Sequence, residues 1–138
     1  MSAIDLAVAR LKVDEGFRAS VYVDTRGHMS IGYGFNVDAG ISEPAAAALL
    51  TAQASESMSI LQSLPWYAPL NDVRASVLIE LAFNLGITGL LGFTNMIAAI
   101  RAGNWRAAHD QLLDSDAARE MPARYRALAG MLLTGEST

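Results

Sequence analysis

The chain has 138 residues, a formal net charge of −4 at pH 7 and no cysteine. This length predicts one compact domain over 1–138, and the lack of cysteine excludes disulfide bonds as a source of stability. Because an acidic chain attracts phosphates poorly, we expect no nucleic-acid partner.

The first predicted element is a helix over 3–14, for which Ser2 is a suitable N-cap. Its apolar residues recur at helical spacing. They are Ile4, Val8 and Leu11. Gly16 can end the helix in a left-handed conformation, since glycine has no Cβ. Glu15 is therefore predicted at a helix C-terminus, where the helix dipole disfavours an anionic side chain.

Two strands are predicted next, because the apolar pattern changes from helical to alternating. They cover 20–24 and 28–35, joined by the turn-forming "DTRG". In the second strand Ser30, Gly32 and Gly34 share a nearly bare face, which allows a ligand or another backbone to approach closely. Asp24 begins the turn. We therefore expect the helix end, the turn and the strand to bring Glu15, Asp24 and Ser30 to one cleft.

The rest of the chain is predicted to be helical. A long helix over 43–64 is capped by Ser42 and ended by Pro65. Shorter helices are predicted over about 72–85, 94–103, 105–112 and 122–133. The predicted fold class is therefore α+β and mostly α-helical. Its parts are a small β-containing lobe over about 15–42, the linking helix over about 43–64, and a helical lobe over about 70–135 on which helix 1 packs.

The stretch 77–100 is long and apolar enough to span a membrane, and Glu80 is its only formal charge. Glycines and polar residues interrupt it, so two buried helices joined at Gly86 explain it better. We therefore expect no stable membrane insertion. The first residues lack a basic region followed by an uninterrupted apolar run, so we also expect no secretory signal.

Glu15, Asp24 and Ser30 are the strongest candidates for chemistry. Cleavage of a glycosidic bond needs one carboxylic acid to protonate the leaving oxygen and a carboxylate on the other side of the sugar. Each residue alone has an ordinary explanation, as a solvated carboxylate, a turn cap and a strand residue respectively. Their joint spacing, followed by "GYG", favours a catalytic site.

The segment "DEGFRASVYVDTRGHMSIGYG" resembles the catalytic segment of the phage-type lysozymes, the endolysin muramidases, which is Glu, eight residues, Asp, five residues, Thr. This chain keeps the spacing but has Ser30 in place of Thr. Three later segments resemble the family in the same order. They are "AFNLGITGLLGFTNMI", "GNWRAAHDQL" and "PARYRALAGMLLTG".

The resemblance implies a lysozyme-like two-lobe fold and a peptidoglycan hydrolase without cofactor. It implies cleavage of the β-1,4 bond between N-acetylmuramic acid and N-acetylglucosamine. Glu15 would be the general acid, Asp24 the base or electrostatic stabiliser, and Ser30 the residue that positions water. Family members with this spacing generally invert the anomeric carbon, which requires a carboxyl separation of about 6.5–9.5 Å.

Four further positions match substrate-binding positions of the family. Phe83 and Asn84 match cleft-lining residues, Gln111 matches a polar residue reached by saccharide, and Arg124 matches a basic residue near the catalytic Glu. Core packing explains Phe83 at least as well, and an exposed arginine explains Arg124. The two histidines of the chain are isolated in sequence, so we expect no metal.

The resemblance also implies a monomer that resides in a host cytoplasm before lysis and reaches periplasmic peptidoglycan through a holin-type pore or by physical delivery. Three alternatives remain open. The first is a lytic transglycosylase, which forms an internal anhydro ring and needs no water-directing Asp. The second is a non-catalytic saccharide-binding or structural relative. The third is an unrelated helical interaction module.

We predict that Ser30→Thr increases the hydrolytic rate on purified cell walls. Threonine keeps the hydroxyl, and its methyl restricts the χ1 rotamer, so the water is held more firmly. Turbidity loss of purified walls measures the rate. A markedly slower Ser30→Thr variant would show that Ser30 does not position the water.

Overall fold

The computed structural model describes residues 1–137, and they adopt the predicted α+β, mostly helical fold. The elements are α1 (Ala3–Glu15), β1 (Arg18–Val23), β2 (Met29–Gly32), β3 (Phe35–Asn36), α2 (Glu43–Leu61), α3 (Asp72–Leu91), α4 (Thr94–Arg101), α5 (Trp105–Leu113), α6 (Asp116–Glu120) and α7 (Pro122–Thr134). The chain divides into two compact units, an N-terminal unit Met1–Ala48 and a C-terminal unit from Leu49 onward.

Helix α1 begins at the predicted cap. The Ser2 hydroxyl accepts a hydrogen bond from the Asp5 backbone N–H at 3.2 Å, and the Asp5 carboxylate accepts one from the Ser2 N–H at 3.0 Å, which forms a capping box. The helix ends at Glu15. Gly16 has a φ of 69° and a ψ of 158°, so it has the predicted positive φ but is not left-handed helical. Packing of α1 on a helical lobe stays a prediction.

The predicted continuous strand over 28–35 is wrong. The chain forms β2, turns at Tyr33 and Gly34, and returns as β3, which pairs antiparallel with β2 through Ile31 and Phe35. Gly32 and Gly34 have φ values of 68° and 75°, which other residues rarely adopt. The alternating glycines therefore make a second turn, and the sheet has three antiparallel strands in the order β1-β2-β3.

Strand β2 lies in the middle of this sheet and carries Ser30. Ser30 pairs with Tyr22 of β1 on one side and with Asn36 of β3 on the other. Its exposed fraction is 2%, and it is the one fully buried residue among those described in the N-terminal unit. Asp24 directly follows β1, in the turn that leads into β2.

The predicted helices of the C-terminal half are confirmed, and so is the break at Gly86. Gly86 has a φ of 77° and a ψ of 161°, so it is non-helical and divides α3 into helical parts over 72–85 and 87–91. Two differences remain. Helix α2 ends at Leu61 and not at 64, because the chain enters tight turns ahead of Pro65, a residue that disfavours a helical conformation just before it. Helix α6, capped by the Ser115 hydroxyl, is absent from the sequence prediction.

The apolar core lies in the C-terminal unit. Helices α3 and α7 contribute many of its large side chains. They supply Val77, Leu78, Leu81, Leu90, Tyr125, Leu128 and Leu132. In length and composition α3 is the one helix within residues 1–137 that meets the requirements for a membrane span. Its buried residues belong to the protein core, which accounts for the apolar sequence equally well.

Arg74 fastens the beginning of α3 to the end of α7. Its guanidinium donates to the carbonyl oxygens of Leu132 at 2.8 Å and Leu133 at 2.9 Å. The same group lies 3.8 Å from the ring centre of Trp105 in α5. Carbonyls in the last turn of a helix have no partner within the helix, so Arg74 satisfies two groups that would otherwise need water.

We predict that Arg74→Ala lowers the free energy of unfolding by about 1–3 kcal/mol, because two helix-terminal carbonyls lose charged donors. Arg74→Lys should restore only part of this loss, since an ammonium cannot reproduce the planar donor pair and the stacking. Urea denaturation measures both. Arg126→Ala, at an exposed position of α7, is the matched control and should change stability by less than about 0.5 kcal/mol. Equal losses at Arg74 and Arg126 would contradict this account.

Candidate active site

Glu15 is the last residue of α1, and its carboxylate rests against the backbone of Gly34. A Cβ built on Gly34 would lie 2.9 Å from Oε2 of Glu15 and 3.3 Å from its Cδ. Glu15 also lines a cavity of about 260 Å³ with Leu11, Lys12 and Tyr33. The Glu15 side chain is exposed. The turn after β2, and not burial, therefore defines where this carboxylate lies.

Asp24 organises the turn between β1 and β2. Its Oδ1 accepts hydrogen bonds from the backbone N–H groups of Arg26 at 2.8 Å and His28 at 2.9 Å. Its Oδ2 lies 3.6 Å from Nδ1 of His28. The hydrogen bond from the His28 backbone, supported by that from Arg26 and by the nearby charges of both residues, lowers the pKa of Asp24 below its ordinary value of 3.8. Asp24 is therefore an anion at neutral pH.

The sheet relates the three candidate residues to one another. Asp24 lies at the turn before β2, Ser30 lies within β2, and Glu15 contacts Gly34 in the turn after β2. Three residue steps along β2 correspond to about 10 Å of extended backbone. The two carboxylates are therefore held near opposite ends of one short strand, with the Ser30 backbone between them.

Phe83 and Arg124 line one cavity of about 380 Å³ in the C-terminal unit, together with Glu80. Arg124 donates through Nε to Oε1 of Glu80 at 3.2 Å, and both side chains are partly exposed, by 37% and 45%. Phe83 is 47% exposed, so core packing does not describe it. Sequence reasoning missed Glu80 as the partner of Arg124, because the two residues are 44 positions apart.

Asn84 and Gln111 have different surroundings. Asn84 accepts a hydrogen bond from the buried Tyr125 hydroxyl at 2.7 Å, so its carbonyl oxygen serves the interior of the C-terminal unit. Gln111 is exposed and lines a cavity of about 280 Å³ that also includes Asn95 and Asp114. Of the four predicted substrate-binding residues, the structure brings only Phe83 and Arg124 into one cavity.

A further cavity of about 820 Å³ also lies in the C-terminal unit and contains none of the candidate residues. Its lining includes Trp66, Arg101 and Trp105, together with Arg74, whose guanidinium is occupied by helix α7. In the described part of the chain, no group of three or more His, Cys, Asp or Glu side chains is placed to hold a metal ion.

Comparison with known proteins gives one family. The sequence profile described as "Phage lysozyme" matches residues 12–131, which include Glu15, Asp24 and Ser30. The chain belongs to the phage lysozyme family.

Two phage proteins are similar to this phage lysozyme. The chain is 30% identical over 115 residues to the "Endolysin" of Salmonella phage P22, and the match covers 77% of each protein. It is 24% identical over 155 residues to the "Pre-baseplate central spike protein Gp5" of Enterobacteria phage T4. That match covers 91% of this chain and 27% of the spike protein. Family membership and the similarity to an endolysin support a peptidoglycan-lytic enzyme.

We predict that the Asp24 carboxyl titrates below pH 3.8 in the folded protein. Because its folded-state pKa is depressed, its contribution to stability is present above the unfolded pKa and is lost as the pH falls through the folded pKa. The stability difference between wild type and Asp24→Asn should therefore shrink as the pH falls below 3.8. NMR titration of the side-chain carbonyl and urea unfolding at several pH values measure the two effects. A midpoint at or above 3.8 would contradict the turn geometry.

Proposed function

We propose that this phage lysozyme hydrolyses the β-1,4 bond between N-acetylmuramic acid and N-acetylglucosamine in peptidoglycan. The observation that carries the proposal is the placement of Glu15 and Asp24 near opposite ends of β2, with Ser30 on the strand between them. Glu15 and Asp24 keep the family spacing in the sequence, so inversion of the anomeric carbon is proposed.

Glu15 is proposed as the general acid that protonates the glycosidic oxygen. It ends α1, and the Gly34 backbone approaches its carboxylate from one side. The side chain is exposed, so a bound saccharide could reach it.

Asp24 is proposed to act on the opposite side of the sugar, as the base that activates water or as the carboxylate that stabilises positive charge at the anomeric carbon. Its lowered pKa supports this role, because either action needs the ionised form. Ser30 is proposed to position the water. Its strand partner Tyr22 is two residues before Asp24, which keeps Ser30 close to that carboxylate in the sheet.

Phe83 and Arg124 are proposed to contact saccharide from the cavity that they share. The exposed ring of Phe83 supplies an apolar surface, and Arg124 supplies donors for hydroxyl or carboxylate oxygens. Gln111 is proposed as a further polar contact, since it is exposed. Asn84 is proposed to offer its amide NH₂ group, because its carbonyl oxygen already accepts the Tyr125 hydroxyl.

Similarity to a phage spike protein favours a second use of the same chemistry, local penetration of the wall by a larger assembly. Similarity to an endolysin, over 77% of that protein, favours lysis at the end of infection. For the endolysin use we propose a monomer that reaches the wall from the host cytoplasm through a holin-type pore.

The decisive experiment treats purified peptidoglycan with wild type, Glu15→Gln and Asp24→Asn. Wild type should release fragments that have gained one water, with inverted anomeric configuration by NMR. Glu15→Gln should reduce the rate by about 10²–10⁴-fold, since general acid catalysis typically contributes that much. Asp24→Asn should also be slower, because it cannot carry the negative charge. Mass spectrometry and product NMR are the measurements.

Asp14→Asn is the matched control, because Asp14 is the exposed carboxylate next to Glu15 in α1. It should keep the wild-type rate. Anhydro products would assign the chain to the lytic transglycosylases, and retained configuration would contradict the inverting mechanism. Undiminished activity of Glu15→Gln would remove Glu15 from the mechanism.

A further inference from the structure

Gly34 differs from the other positive-φ glycines of the N-terminal unit. At four of them an added Cβ would meet no atom within 4 Å. They are Gly16, Gly27, Gly32 and Gly40. At Gly34, with a φ of 75°, the Cβ would meet Oε2, Cδ and Cγ of Glu15 at 2.9, 3.3 and 3.7 Å. Gly34 therefore meets two requirements, a positive φ for the turn and an empty space for a carboxylate.

We propose that Gly34 is a positioning residue for Glu15, because the Glu15 carboxylate lies so close to residue 34 that a side chain there would collide with it. The catalytic consequence rests on the proposed function, whereas the contact itself does not. Helix α1 places the Cα of Glu15, and the turn after β2 places the outer end of the same side chain.

The contact matters because little else in the N-terminal unit restrains this side chain. Glu15 is exposed, and a glutamate side chain that is held in one rotamer loses conformational entropy. The Gly34 backbone removes part of the space through which the carboxylate would otherwise move. A general acid must be within hydrogen-bond reach of the atom that it protonates, so this restriction directly favours proton transfer.

A methyl group at residue 34 would displace the carboxylate. Oε2 would lie 2.9 Å from the new Cβ, well inside the separation of about 3.5–4.0 Å that is optimal for unbonded heavy atoms. Relief requires a movement of several tenths of an ångström to about one ångström. Since a misplacement of about 1 Å can reduce a catalysed rate by about 10²-fold, we expect kcat to fall on the order of 10- to 100-fold.

The test compares Gly34→Ala with Gly32→Ala, whose positive φ of 68° imposes similar backbone strain in the same turn without an atom near the new Cβ. Both variants should lose thermal stability. On soluble muropeptide oligomers Gly34→Ala should lose kcat 10- to 100-fold with little change in KM. Gly32→Ala should keep kcat near the wild-type value. The ¹³C carboxyl resonance of Glu15 should shift in Gly34→Ala and stay in place in Gly32→Ala.

A stability cycle tests the contact independently of catalysis. Glu15→Ala removes every atom that the new Cβ would meet. Gly34→Ala should therefore lower Tm by several degrees less in the Glu15→Ala background than in wild type, while the effect of Gly32→Ala should be the same in both. If Gly34→Ala does not fold alone, its folding in the Glu15→Ala background supports the proposal. Equal effects in both backgrounds, or failure to fold in both, overturn it. If Glu15→Gln is active and the effect of Gly34→Ala on Tm is still smaller in the Glu15→Ala background, the catalytic role of Glu15 is rejected and the contact between Glu15 and Gly34 is supported.

Discussion

The approach of the Glu15 carboxylate to the Gly34 backbone is the constraint on which the candidate site depends. Helix α1 buries none of its residues, so side-chain packing does not fix its C-terminal end. The helix cap fixes where α1 begins, and the geometry of thirteen residues fixes where Glu15 emerges. A turn that brings a bare backbone to this point then determines the position of the carboxylate. Gly34 adopts the positive φ of this turn, and its lack of a side chain leaves space for the Glu15 carboxylate.

Asp24 shows that a structural and a chemical role are compatible in one side chain. One carboxylate oxygen accepts two backbone N–H groups and closes the β1–β2 turn, while the other faces the His28 ring. The hydrogen bonds stabilise the anion and so lower its pKa. The turn-capping explanation for Asp24 is therefore correct, and it supplies the ionised carboxylate that the proposed mechanism needs. The sequence alone presents the turn cap and the catalytic carboxylate as alternatives, whereas in the structure one side chain can serve as both.

Local patterns predicted most elements because their causes are local. The caps at Ser2 and Ser42 act within one helical turn, and each side chain accepts a backbone N–H of the helix that it was predicted to cap. The prediction of one strand over 28–35 is wrong because glycine at every second residue fits both a continuous strand and a tight turn. Only the pairing between Ile31 and Phe35, which joins two separate strands, distinguishes the turn from the strand. The contact between Gly34 and Glu15 joins residues 19 positions apart, so the spacing of apolar residues along a helix or strand could not predict it.

The substrate-binding candidates show the same limit at longer range. The family resemblance implies a place for Arg124 near the catalytic Glu, and the structure pairs Arg124 with a different carboxylate, Glu80 of the C-terminal unit. This pair is partly exposed on both sides, and such pairs typically contribute only about 0–1 kcal/mol. The pair between Arg124 and Glu80 can therefore open at small cost in stability. Tyr125 is different, because its buried hydroxyl depends on Asn84 at 2.7 Å, and loss of that partner would leave a polar group unpaired in the core. Two neighbouring residues of α7 thus make different kinds of contact. Arg124 makes an ion pair at the surface, and Tyr125 makes a hydrogen bond in the core.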